Sequence, residues 1–259
     1  MVSPAKRSFL DLNATTLYAW RVKKLVAVVI TILSVCALWA TDTDGKHETG
    51  FVYARIRYHF PLYDRHREVP WHHDYPFGDE LFTTFMERIS MVHTNREAFQ
   101  IVDIDSPELF KYPFTYLCEP GFLDLLPKDV ENLREYLDRG GFILVDDFRG
   151  PRELANLEFQ LKKVYPDRDL VRLDVNHPIF HSLYDINSLD IPAPYQNRGS
   201  GRVEFLALLD PKGNVQMIVN YNNDLSELWE WIDKGEMPLS QGVTALELGA
   251  NYLIYSMTH

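Results

Sequence analysis

The apolar positions of this chain change period several times. Between Phe51 and Tyr58 they alternate, which predicts a strand, whereas from Phe77 to Val92 the residues Leu81, Phe82, Phe85, Met86 and Ile89 fall at helical spacing. Phe99 to Ile104 is extended again, and Pro113 to Cys118 predicts a buried strand. Pro127 to Arg139 predicts a helix, opened by its proline and closed by Gly140-Gly141. Phe142 to Val145 is a short continuous apolar run, the pattern of a parallel strand covered on both faces. A helix from about Pro151 to Tyr165 and a strand from Leu170 to Val175 continue the series. Strands alternating with helices imply right-handed crossovers and a three-layer α/β domain. Arg202 to Leu209 and Val215 to Tyr221, joined by Asp210-Pro-Lys-Gly-Asn214, predict a β-hairpin added to that core, and Val243 to Tyr255 predicts a final helix packed on the sheet. There is no internal repeat and no low-complexity region.

The N-terminal pattern is different. Leu25 to Ala40 is an unbroken apolar run preceded by Arg21-Val22-Lys23-Lys24. The first 24 residues hold Lys6, Arg7, Arg21, Lys23 and Lys24 against Asp11, a formal +4, while Asp42 and Asp44 follow the run. The positive-inside rule then places residues 1–24 in the cytoplasm and everything after Thr41 across the bilayer. Trp20 and Trp39 flank the run; at ~1.5 Å per residue they stand roughly 28 Å apart, close to the hydrocarbon thickness of a membrane. A cleaved signal peptide ending near Ala40 and a buried soluble helix are the competing readings. The long lead and the aromatic flanks favour a retained single-span signal anchor over residues 25–40, followed by a polar linker over 41–50 and a domain over 51–259. Cys36 follows a valine, which argues against lipid attachment there.

About 210 residues beyond the anchor suffice for one well-buried domain. The net charge of −11 becomes −15 once the leader is set aside, so nucleic acid and anionic headgroups are excluded as partners of the exported part. Cys36 and Cys118 are the only cysteines, and their positions predict no intramolecular disulfide.

Several strings, in this order and spacing, resemble a known family: Asn132 to Asp147, then His177-Pro-Ile-Phe180, Asn220-Tyr-Asn-Asn-Asp-Leu225 and Leu248-Gly-Ala-Asn-Tyr252. Together they resemble a bacterial domain of unknown function with a class I glutamine amidotransferase-like fold, distantly similar to trehalose-utilisation domains, over roughly residues 51–258. The resemblance implies a flavodoxin-like, mostly parallel sheet and membrane attachment, here in an inner membrane with the domain in the periplasm. It also implies protein partners in a membrane complex, ATPases and von Willebrand A-type proteins among them. It brings no established reaction. An amidotransferase carries a cysteine on the turn after the strand matching Phe142–Val145, whereas this chain reads Asp146-Asp147-Phe148-Arg149-Gly150 there. Glutamine hydrolysis by the usual route is therefore not expected.

Candidate chemistry gathers at strand ends. With a flavodoxin-like order 2-1-3-4-5, the strands ending near Tyr58, Cys118 and Val145 lie side by side, bringing His59, Glu119 and one of Asp146 or Asp147 around a crevice. Arg149 is their expected partner in a loop-cap reading, and His177 either caps a loop or lines the crevice. As strand neighbours, Asp146 and Asp147 should point to opposite faces and not act as a coupled pair. Cys118 has no cationic neighbour in sequence and reads as a small buried residue. His59, His66, His72 and His73 match no compact metal motif, so no metal and no cofactor is expected, and Trp71, His72, His73, Asp74 and Tyr75 form a candidate partner-binding loop. Asp224 is a plausible N-cap. Arg55 and Arg57, on one face of the first strand, require a partly open face or buried ion pairs. A membrane-anchored, non-catalytic binding or assembly module is the first expectation, and a hydrolase or metal-dependent enzyme in the crevice the second.

Overall fold

The computed structural model describes residues 50–61, 69–94, 99–194 and 201–259; the leader, the expected anchor and most of the linker lie outside these residues. No helix among the described residues is long and apolar enough to cross a membrane. Seven strands form one sheet: β1 (Ala54–Arg57), β2 (Gln100–Asp103), β3 (Phe114–Cys118), β4 (Phe142–Asp146), β5 (Val171–Arg172), β6 (Glu204–Leu209) and β7 (Val215–Tyr221). Their spatial order is β2-β1-β3-β4-β7-β6-β5. The first five in that order are parallel, and β6 and β5 continue antiparallel.

The two faces of the sheet follow from side-chain alternation. Phe114, Tyr116 and Cys118 of β3 and Phe142 and Leu144 of β4 face one apolar layer. It is completed by α1 (Phe77–Ile89), α4 (Leu225–Trp231) and α5 (Leu239–Thr258). Leu117, Ile143 and Val145 face the opposite layer, closed by α2 (Pro127–Asp138) and α3 (Gly150–Val164). The central strands are buried at every position, which is why the run at 142–145 lacks a polar alternation.

The first four expected strands and the three expected central helices recur with ends shifted by a few residues, and α5 is longer than the periodicity suggested, at 20 residues. Two expectations need correction. The hairpin is not an addition, because β7 occupies the fifth parallel place beside β4. The segment read as a strand over 170–175 contributes only two exposed residues, antiparallel to β6 at the sheet edge. Leu170 and Leu173 beside it still pack against the core, so the apolar pattern persists where the strand pairing has ended.

Tight packing of α5 rests on Gly249. A Cβ there would come within 2.7 Å of both Phe82 and Trp229, whose rings stack at 4.6 Å. Two residues on, the buried Asn251 accepts from the backbone N–H groups of Leu183 and Tyr184 and donates to the carbonyls of Phe180 and Tyr184. It ties down the short 3-10 turn Pro178–His181 and the irregular segment that follows it.

Candidate functional site

The connections after β1 and β3 leave toward opposite faces, one to α1 and the other to α2. Such a divergence opens a crevice at the carboxyl ends of the strands. Four loops meet there: residues 70–76 after β1, Glu119 after β3, Asp147 after β4 and Asn222 to Asp224 after β7. Asp74, Glu119, Asp147 and Asn222 all take positive φ, from 45° to 58°. Asp and Asn tolerate this left-handed region better than most residues, which is one reason these loops carry them.

Arg55 anchors the first loop. Its guanidinium is fully buried and donates to both carboxylate oxygens of Asp79, at 3.3 and 2.6 Å. Nη1 donates to the His73 carbonyl at 2.7 Å, and the cation lies 4.6 Å from the Tyr116 ring centre. Arg57 on the same face is exposed and pairs with Asp103. One arginine therefore uses a buried pair and its neighbour an open edge. Removing either partner of the buried pair would cost about 3–5 kcal/mol.

Anchored in this way, the loop turns His73 inward, where its Nδ1 lies 2.8 Å from Asp147 Oδ2 and 3.3 Å from Asp74 Oδ1. Ser226 Oγ donates to Asp74 Oδ2 at 2.7 Å and lies 3.2 Å from Asp224 Oδ1 and 2.7 Å from Tyr116 OH. Asp224 Oδ1 also accepts from Glu227 N–H at 2.9 Å and so caps α4. One nitrogen or oxygen from each of His73, Asp74, Asp147 and Asp224 lies within 4.8 Å of the other three. Beneath them Asp146 Oδ2 accepts from the N–H groups of Leu225 (2.7 Å) and Ser226 (3.2 Å) and from Tyr116 OH (3.3 Å). Asp146 Oδ1 is buried without a hydrogen-bond partner, as are both amide atoms of Asn223.

So much buried acid raises its own proton affinity. The hydrogen bond to Asp147 lifts His73 to about 10. Burial, reinforced by the charge of Asp147, raises Asp74 to about 7, Glu119 to about 8 and Asp146 to about 7. Asp224 is pushed well up for the same two reasons. Burial first, then Asp147, also raises the Cys118 thiol, whose Sγ lies 3.5 Å from Asp147 Oδ2. It is a protonated packing group in an acidic setting, the reverse of an activated nucleophile. Near neutral pH the crevice therefore holds exchangeable protons and a surplus of carboxyl oxygen.

The structure regroups the residues singled out from sequence. Glu119, Asp146 and Asp147 meet in the crevice, joined by His73 and Asp74 from the loop assigned to partner binding. His59 is half exposed and faces Asp129 at the start of α2, 3.1 Å away. His177 lies at the other end of the sheet, beside Tyr255, whose OH reaches the N–H of Val215 at the start of β7. Arg149 is exposed at the start of α3, where its N–H donates to Glu153. Asp146 and Asp147 share no hydrogen bond between side chains, yet the charge of Asp147 acts on Asp146. Strand alternation does not govern them, because Asp147 has left the extended conformation. His66 lies outside the described residues. Sequence alone points to Asp224 as a cap and gives no reason to single out Ser226; the signal for this corner is the Asn-Asn-Asp run directly after a strand at the same sheet edge.

Residues 53–257 match the family described as a domain of unknown function (DUF4159). No curated protein matches the chain.

Proposed function

The chain belongs to the DUF4159 family of domains of unknown function, and from that premise we propose that it is a membrane-anchored, non-catalytic binding or assembly module facing the extracytoplasmic side. The anchor is residues 25–40 in a bacterial inner membrane, and the domain has a flavodoxin-like sheet of the amidotransferase type. The observation that carries the reading is the chemistry of the crevice. At the turn where an amidotransferase has its cysteine stands Asp147, paired with His73, and the one thiol nearby is buried and protonated. These groups offer charge and hydrogen bonds in a fixed pattern, without an activated cysteine.

Beside the crevice, the 70–76 loop presents an apolar and aromatic rim. Phe77 is 57% exposed and Val69 41%, and they share a groove with His72, Glu227, Glu230 and Trp231. Aromatic side chains next to acids suit a protein partner carrying basic residues, an ATPase or von Willebrand A-type component of the same membrane complex being the expected kind. A hydrolase or metal-dependent enzyme is the second reading, favoured by His73 and Glu119, which hold protons above neutral pH in one crevice.

A photo-crosslinking residue at His72 in the full-length chain, activated in intact cells, is the test. A protein adduct that disappears when Phe77→Asp is introduced is the expected outcome. Turnover of a substrate by the purified chain, abolished by Glu119→Gln with the adduct absent, would replace this reading with the second.

A further inference from the structure

We infer that the groove between the loop after β1 and α4 is a seat for a primary ammonium, filled by a lysine side chain of a partner protein. The inference rests on the partner reading above and names the group that the partner presents. The groove, of about 440 Å³, is lined from residues 69–77 on one side and 227–231 on the other. Three acids, Asp74, Glu227 and Glu230, and two rings, Phe77 and Trp231, decide its chemistry.

The chain's own lysine reports what the groove accepts. Glu230 and Lys234 are four residues apart and would pair on helical spacing alone. That spacing does not account for where the ammonium sits. Lys234 Nζ lies 3.4 Å from Glu230 Oε1, 4.1 Å from the centre of the Trp231 ring and 5.1 Å from that of Phe77. Phe77 belongs to a different element, at the start of α1, so the fold assembles the seat from two distant segments. It holds a cation by a carboxylate and by ring faces together.

One lysine does not use up this seat. Asp74, Glu227 and Glu230 each bring a carboxylate oxygen within 4.8 Å of the other two. An ammonium has three N–H donors, and acceptors about 2.8 Å from its nitrogen stand roughly 4.6 Å apart. A single ammonium can therefore bridge all three acids, whereas the planar fork of arginine matches the two oxygens of one carboxylate. Lys234 pairs with Glu230 alone, and Glu227 has no cationic partner among the described residues. The Lys234 side chain is 40% exposed, and ion pairs in such a setting contribute little, so a better-placed ammonium displaces it. Phe77, 57% exposed at the groove, offers its ring to the apolar stem of the incoming lysine.

Lys234 is then a stand-in for the partner's lysine and competes with it. The competition has a definite sign, because removing Lys234 vacates the rings and Glu230 for the partner. The net charge of −15 beyond the leader adds a long-range attraction for a basic segment.

The test is zero-length carbodiimide crosslinking, which joins a carboxylate to a lysine amine only where the two touch. It is applied to membranes carrying the full-length chain and read by mass spectrometry. Linkage of Glu227 or Glu230 to a lysine of another protein is expected, with a yield that Lys234→Ala raises. Phe77→Leu keeps an apolar contact and loses the ring, so it should lower the yield about threefold or more, and Phe77→Tyr should restore it. Both positions are exposed, so the variants should fold, which circular dichroism checks. Absence of such linkage, linkage only to lysines of this chain, or a yield indifferent to Phe77→Leu would overturn the ammonium seat. A His72 photo-adduct without the carboxylate linkage would remove the lysine and leave the partner reading standing.

Discussion

Cys118 shows how one residue's setting decides its chemistry. It ends a strand at the sheet edge where ligands gather, the place where a reactive thiol would be useful, yet it is fully buried and faces Asp147. Both conditions disfavour the thiolate. Cys118→Ala should therefore cost roughly 1 kcal/mol of stability, the usual scale for a small core change, and leave cellular function intact. Chemical denaturation and a growth or localisation assay check the two halves. Rapid labelling of native Cys118 by a soluble electrophile, with loss of function in the alanine variant, would contradict the packing role. Arg55 teaches the same lesson in the opposite sense: its charge is tolerable in the core only because Asp79 and two loop carbonyls receive its donors.

At the level of elements, the short turn at Pro178–His181 carries a pH-dependent cap. His177 accepts the N–H of Ile179 through Nδ1 at 3.2 Å and lies against Tyr255. Burial, and then the charge of His259, lower its proton affinity below that of a free histidine. A folded-state pKa below the unfolded value means the contribution to stability is fully present above the ordinary histidine pKa of about 6.5 and is lost as pH falls through the lower folded value. Protonating Nδ1 also removes the acceptor of the cap. His177→Asn keeps a capping acceptor without titrating. The wild-type melting temperature should thus fall relative to the variant as pH drops from about 6.5 toward 5. A difference constant over that window would show that His177 plays no such part. The same turn is held from above by Asn251, so the family-like strings around 177 and 251 are two halves of one contact.

For the whole molecule the decisive question is topology. The +4 leader and the Trp20 to Trp39 span predict a single crossing with the domain outside the cytoplasm. A phosphatase that works only outside the cytoplasm, fused after His259, should be active, and the chain should remain in membranes after carbonate washing. A soluble mature chain beginning near Thr41 would identify a cleaved peptide, and an inactive fusion would reverse the orientation. Beyond its basic leader the chain carries a net charge of −15. The crevice concentrates that character where the strand ends converge.

Periodicity alone determined the alternation of strands and helices, the buried central strands and the final helix, because burial imposes a local repeat that any tertiary arrangement must respect. With an assumed flavodoxin-like strand order it brought His59, Glu119 and one of Asp146 or Asp147 to one crevice, since strand ends in a parallel sheet share an edge; in the structure Glu119 and both aspartates gather there, and His59 pairs with Asp129 instead. Strand pairing is non-local, so the inclusion of β7 as a parallel strand and the reduction of β5 to an edge fragment emerged only with the sheet assembled. Side-chain direction after a strand was equally out of reach. His59 departs toward α2, whereas His73, fourteen positions later, is drawn into the crevice by a buried arginine bonding to its backbone. No pattern of residue types encodes that choice. It follows from where Arg55 found its counter-charge, and with it the grouping of His73, Asp74, Asp147 and Asp224 belongs to the tertiary structure alone.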